Sequence, residues 1–158
     1  MKPPLLYRGY TTQAQIDAQY DTSQSVEDEP RELARYVERS AAARSKLTAV
    51  LDVPYGPAAE ETLDIFPAET SGAPVFVFLH GGYWRSGSSR EFSFVALGLN
   101  ALGITTVIPN YALCPKVGID EIVRQSRAAV AWVLRHIGEH RGDCARVAVG
   151  GHSAGAHL

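Results

Sequence analysis

The sequence has no surplus of either charge. Its 15 Lys and Arg residues stand against 17 Asp and Glu, a formal net charge of -2 over 158 residues. That balance gives no electrostatic footprint for nucleic acid or for an anionic membrane surface. Long apolar runs are missing as well. The N-terminus, Met1-Lys2-Pro3-Pro4-Leu5-Leu6-Tyr7-Arg8, is basic but carries no apolar stretch of signal-peptide length, and no run elsewhere approaches a membrane span. Cysteine is scarce: Cys114 and Cys144 form neither a CxxC pair nor a zinc spacing, so both are expected as buried free thiols in a reducing compartment. Internal repeats and low-complexity stretches are absent. What remains is 46% hydrophobic content and the expectation of a soluble, cytoplasmic globular chain.

The chain changes texture part-way along. Residues 1–48 read as a polar, helical extension able to act as a lid or simply to pack on the main domain. Within it, Thr12-x-x-Gln15 is a capping box for a short helix through Tyr20. Asp28-Glu29-Pro30 opens a longer helix, with proline tolerated in its first turn. Residues 49–158 alternate strands and helices. Thr62-Leu63-Asp64-Ile65-Phe66 alternates like a half-exposed strand, and the apolar run Pro74 to Leu79 suits a strand covered on both faces. Ser88-x-x-Glu91 predicts a capped helix with a Phe92, Val95, Leu99, Leu102 stripe, ended by Gly103. Ile104 to Ile108 is the next strand, Ile119 to Ile137 a strongly periodic helix, and Arg146 to Val149 a short buried strand. Strand and helix alternating in this way imply right-handed crossovers and an α/β fold with a mostly parallel sheet flanked by helices.

Two glycine motifs fall at the ends of these strands. Gly151-His152-Ser153-Ala154-Gly155 matches G-x-S-x-G, in which small neighbours permit a strained strand-to-helix turn that lifts the serine hydroxyl clear of the sheet. The same turn aims the backbone N–H of Ala154 at a reacting oxygen. His80-Gly81-Gly82-Tyr83-Trp84 supplies a second loop whose backbone donors no Cβ obstructs. Neither cluster suits a nucleotide: both glycine pairs at P-loop spacing lack the following lysine, and GxGxxG is absent.

With these residues the sequence resembles the α/β-hydrolase superfamily, in the branch with HGG-type oxyanion loops that includes hormone-sensitive-lipase-like esterases. HGGYW together with GHSAG is most similar to the arylformamidase (kynurenine formamidase) group. Asn110 to Pro115 resembles the Tyr-x-Leu-x-Pro segment of those esterases, and Tyr7-Arg8-Gly9-Tyr10 with Ile16 to Tyr20 is similar to bacterial members. The resemblance implies Ser153 as nucleophile and the N–H groups of Gly81, Gly82 and Ala154 as the oxyanion hole. It also implies that Tyr83 and Trp84 border the acyl pocket. The implied substrate is a small ester or formamide, without metal or organic cofactor.

A serine needs a base, and the base an orienting acid. Such folds supply both after the nucleophile, in the order Ser, Asp or Glu, His. Nothing acidic follows Ser153 here. His157 is expected in a structural hydrogen bond, His152 in packing or in support of the residues around the serine, His136 and His140 at a helix end, and His80 bonded to the loop it begins. The expectation is therefore the N-terminal half of a longer hydrolase, truncated after the nucleophile turn and inactive alone. The competing expectations are a non-catalytic binding domain of the same fold, and a second chain that supplies the missing half.

Overall fold

A computed structural model describes residues 6–21 and 26–158. The chain divides into two compact units, Met1–Arg35 and Tyr36–Leu158. In the first, Tyr7 and Tyr10 bridge across a tight turn in which Arg8 and Gly9 take positive φ. Helix α1 (Gln13–Tyr20) follows, and its expected capping box is formed: the Thr12 side chain accepts from Gln15 N–H while the Gln15 side chain reaches back to Thr12. Helix α2 (Glu29–Lys46) begins with acidic Glu29 and Glu32 and ends with basic Arg44 and Lys46, complementing its dipole at both ends.

The second unit holds one five-stranded sheet: β1 (Val50–Pro54), β2 (Thr62–Phe66), β3 (Ala73–Leu79), β4 (Thr105–Pro109) and β5 (Gly142–Gly151). Its spatial order is β1-β2-β4-β3-β5. The strands joined through helices, β3, β4 and β5, run parallel, as crossover connections require. β1 and β2 pair antiparallel and extend the sheet beyond β4, which makes it mixed. Strand β1 was not foreseen: its residues are nearly all exposed and carry no buried alternation to read.

Leu63, Ile65, Val75, Val77 and Val107 form the core with Val133 and Ile137. The last two lie on helix α5 (Ile119–His136) and on the 3-10 turn that follows it, Ile137–His140. The periodic apolar face of α5 is thus the one pressed on the sheet. Both thiols are free, and both are partly buried rather than fully so.

Three local expectations are corrected. β5 is not a short buried strand: it runs ten residues, and Arg146, Ala148 and Val149 are exposed. β2 is not half-exposed: Asp64 is completely buried. A carboxylate can be buried when it is paired. Arg44 Nη1 lies 2.6 Å from Asp64 Oδ2, Ser89 Oγ donates to Oδ2 at 2.7 Å, and Asp52 N–H donates to Oδ1 at 3.0 Å. The helix expected from Ser88 is also broken, into α3 (Ser89–Phe92) and α4 (Val95–Ala101). Ser88 makes no side-chain cap bond; its hydroxyl goes to Glu91 Oε2 instead. At the break, Phe94 N–H donates to Ser40 Oγ on α2, so a tertiary acceptor has replaced a helical one.

Candidate functional site

Strand β5 ends at Gly151, and the four-residue helix α6 (Ala154–His157) starts three residues later. Ser153 bridges the two with φ 53° and ψ −118°, a positive φ that a side-chain-bearing residue adopts only under strain. The turn is tight enough to need glycine on both sides. A Cβ on Gly155 would fall 2.0 Å from the Leu79 carbonyl oxygen, and one on Gly151 would fall 2.4 Å from the Gly155 carbonyl carbon. Gly155→Ala should therefore displace α6 from the end of β3. A drop in melting temperature of at least 5 °C is expected, in line with about 1–3 kcal/mol for overpacking; an unchanged melting curve would refute the tight fit.

Gly81 faces this turn directly: a Cβ added there would lie 2.8 Å from His152 Nδ1 and 3.2 Å from the Ser153 Cβ. The structure thus brings Gly81 beside Ser153. Gly82 continues the loop with φ +126°, and Tyr83 and Trp84 both follow with positive φ, curling the chain back so that Arg85 and Ser86 N–H bond the Gly82 carbonyl. Among the described residues, no acceptor meets the N–H of Gly81, Gly82 or Ala154. Tyr83 stands out in solvent, whereas Trp84 is half-buried and meets the His157 ring edge-on, centroids 5.1 Å apart. Ring packing, not a side-chain hydrogen bond, is thus what holds the His157 imidazole, while its backbone N–H donates to the Ser153 carbonyl.

Three groups to which the sequence assigned no role support the loop. Gly87, with φ +90°, has no room for a Cβ, which would meet the Gly81 carbonyl oxygen at 2.8 Å. Asn110 ties the start of α3 to the start of β2, its side chain accepting from Ser89 N–H and donating to Thr62 Oγ1. Gln125 on α5 accepts from Ala112 N–H at 2.7 Å and donates to Glu121, whose carboxyl Arg124 and Gln125 hold down at about 2. The segment Asn110–Pro115 also reaches the glycine loop, where Cys114 N–H donates to the Trp84 carbonyl. A cavity of about 510 Å³ lies along this segment, lined by Asn110, Tyr111, Cys114, Gly87 and Ser88, and Ser153 is not among its lining residues.

His80 bonds its own loop, as expected: Nδ1 is 2.8 Å from the Gly81 carbonyl oxygen. The ring is completely buried, and burial lowers its pKa from 6.5 to about 4, the Gly81 bond opposing only in part. The unfolded chain then binds a proton between about pH 6.5 and pH 4 that the folded chain refuses, so His80's contribution is present above pH 6.5 and lost as pH falls towards 4. The full loss amounts to about 3 kcal/mol. Urea unfolding between pH 4 and 7 should show that slope in the wild type and a flatter one in His80→Gln; parallel slopes would count against it.

His136 and His140 pack on Trp132, and His152 is exposed beside Ser153. None hydrogen-bonds the Ser153 hydroxyl among the described residues.

The BD-FAE family pattern matches residues 63–158, from β2 to the serine turn. The chain belongs to the BD-FAE family. It is 37% identical over 118 residues to a kynurenine formamidase of Danio rerio, covering 73% of this chain and 39% of that protein. It is 31% identical over 115 residues to Esterase LipQ of Mycobacterium tuberculosis, covering 68% of this chain and 27% of that one. Among solved structures, a Silicibacter sp. tm1040 protein given a provisional thioesterase assignment superposes with a TM-score of 0.81 at 31% identity, covering 90% of this chain and 53% of its own. The fold is that of the α/β-hydrolase esterases. The chain spans about two-fifths of the length of the kynurenine formamidase it matches. Among the described residues no helix is long and apolar enough to cross a membrane.

Proposed function

We propose that the full-length protein is a serine hydrolase of small carboxylic esters or N-formyl arylamides, with Ser153 as nucleophile. The observation that carries this reading is the strained serine turn lying against a glycine loop whose N–H groups are unclaimed. Ser153 Oγ attacks the carbonyl carbon and gives its proton to a base. The carbonyl oxygen, now negative, takes hydrogen bonds from the N–H groups of Gly81, Gly82 and Ala154. Collapse expels the alcohol or arylamine, which carries the proton away, and leaves an acyl- or formyl-serine that water then hydrolyses. Tyr83 and Trp84 flank the acyl group, and no metal or organic cofactor enters.

The base and its acid come from residues outside this chain. Support for this is geometric: His80 is buried and committed to Gly81, the His157 ring packs on Trp84, and none of the described imidazoles bonds the Ser153 hydroxyl. The 158-residue chain alone is then a non-catalytic domain that still presents the serine turn.

The test compares rates on N-formylkynurenine and a short-chain p-nitrophenyl ester in the full-length protein, with fluorophosphonate labelling of Ser153 alongside. Labelling with turnover of either substrate supports the reading, and the faster substrate assigns the class. A folded full-length protein that neither labels nor turns over either compound defeats it. Robust ester hydrolysis by the isolated 158-residue chain would overturn the placement of the base.

A further inference from the structure

We propose that Tyr111 and His80 are positioning residues that clamp the two peptide units carrying the Gly81 and Gly82 N–H groups, so that both donors face the serine turn before substrate arrives. This rests on the proposed oxyanion role of those two groups.

Each peptide is held by its carbonyl. Tyr111 Oη lies 2.6 Å from the His80 carbonyl oxygen, and His80 Nδ1 lies 2.8 Å from the Gly81 carbonyl oxygen. Carbonyl oxygens only accept, so the phenol donates in the first bond and Nδ1 must carry the proton in the second. In a trans peptide the C=O and N–H point in opposite directions. The one cis bond among the described residues is Cys114–Pro115, so both loop peptides are trans. Holding the His80 carbonyl therefore sets the direction of the Gly81 N–H, and holding the Gly81 carbonyl sets that of the Gly82 N–H. One clamp serves each donor.

The clamp is itself rigid. The His80 ring stacks on Tyr111 at 4.3 Å with 7° between planes, and on Phe92 at 5.6 Å with 22°. Tyr111 Oη also sits 3.2 Å from His80 Nδ1, where its lone pair shares the Nδ1 proton already given to Gly81. Burial keeps the imidazole neutral and raises the Tyr111 phenol well above its usual range, so neither partner changes protonation near pH 7. The cost is visible: His80 Nε2 is buried with no hydrogen-bond partner. An orphaned buried acceptor is tolerated where the opposite nitrogen has a task that only one tautomer can perform. Gly87 closes the arrangement, its missing Cβ leaving room for the Gly81 carbonyl to reach His80.

Tyr111→Phe removes the hydroxyl and keeps the stacked ring. In the full-length protein it should lower kcat by roughly 10- to 100-fold, less than the loss of a whole donor, with KM changed less than about twofold. Tyr111→Phe at unchanged kcat in an active parent overturns the clamp. A second readout does not depend on turnover. Long-range nitrogen–proton NMR of His80 should show the Nδ1–H tautomer, with no titration between pH 5.5 and 8. In Tyr111→Phe the Gly81 and Gly82 amide resonances should move while distant amides stay. An Nε2–H tautomer, titration near pH 6.5, or unmoved glycine amides would reject the clamp. If the parent hydrolyses neither ester nor formamide, the proposed function fails, and the NMR results still decide the clamp.

Discussion

Ser153→Ala in the full-length protein is expected to lower kcat on its better substrate by on the order of 10⁵-fold, with KM nearly unchanged. Alanine keeps the Cβ and the backbone conformation and removes only the attacking oxygen. Binding contacts common to substrate and transition state therefore survive, while covalent chemistry does not. On the proposed mechanism, the residual rate measures what the Gly81, Gly82 and Ala154 N–H groups achieve with water as nucleophile. A companion variant separates chemistry from folding. Ser153 holds φ 53° against its own Cβ, and glycine adopts that conformation without strain. Ser153→Gly should therefore abolish turnover equally while stabilising the fold by about 1 kcal/mol. Equal turnover in wild type and Ser153→Ala would remove Ser153 from the mechanism. A Ser153→Gly variant less stable than wild type would show that the turn stores no strain.

The parts of the fold readable from sequence were those whose causes are local. The Thr12 capping box needs only residues three apart, and α5 needs only its own apolar stripe. Pro74 to Leu79 announced β3 by β-branched and aromatic composition, and the glycines around Ser153 announced a turn that excludes side chains. What stayed hidden depends on distant partners. Asp64 reads as the polar half of an alternating strand until Arg44, twenty residues upstream, is placed against it. The break between α3 and α4 depends on Ser40, which takes the Phe94 N–H across 54 residues. Tyr111 was legible as part of a resembling segment, but its bond to the His80 carbonyl spans 31 residues and has no local signature. Gly87 looked like one more loop glycine. Only its distance to the Gly81 carbonyl oxygen marks it as a support of the site.

Arg44→Ala is expected to destabilise the second unit by about 3 kcal/mol, because it leaves the buried Asp64 carboxylate without its counter-charge. The Asp64 side chain is fully buried and that of Arg44 is 15% exposed, so water can do little to replace the guanidinium. The bonds from Ser89 Oγ and Asp52 N–H remain and keep the cost at the lower end for a broken buried pair. Asp64→Asn should cost less, since it removes the charge together with the need to compensate it. Replacing both residues by leucine should recover most of the loss, because a buried pair exchanged for apolar groups of similar volume is often neutral. Urea unfolding of wild type and these three variants measures each expectation. Arg44→Ala within about 0.5 kcal/mol of wild type would mean that the pair contributes nothing. The effect also reaches the site. Ser89, which donates to Asp64, opens the helix that ends the loop from His80 to Ser88, and its N–H is held by Asn110. Arg44→Ala should therefore quicken amide exchange at Gly87 and Ser88 before global unfolding. Exchange there at the wild-type rate in a destabilised Arg44→Ala would confine the pair's role to the core.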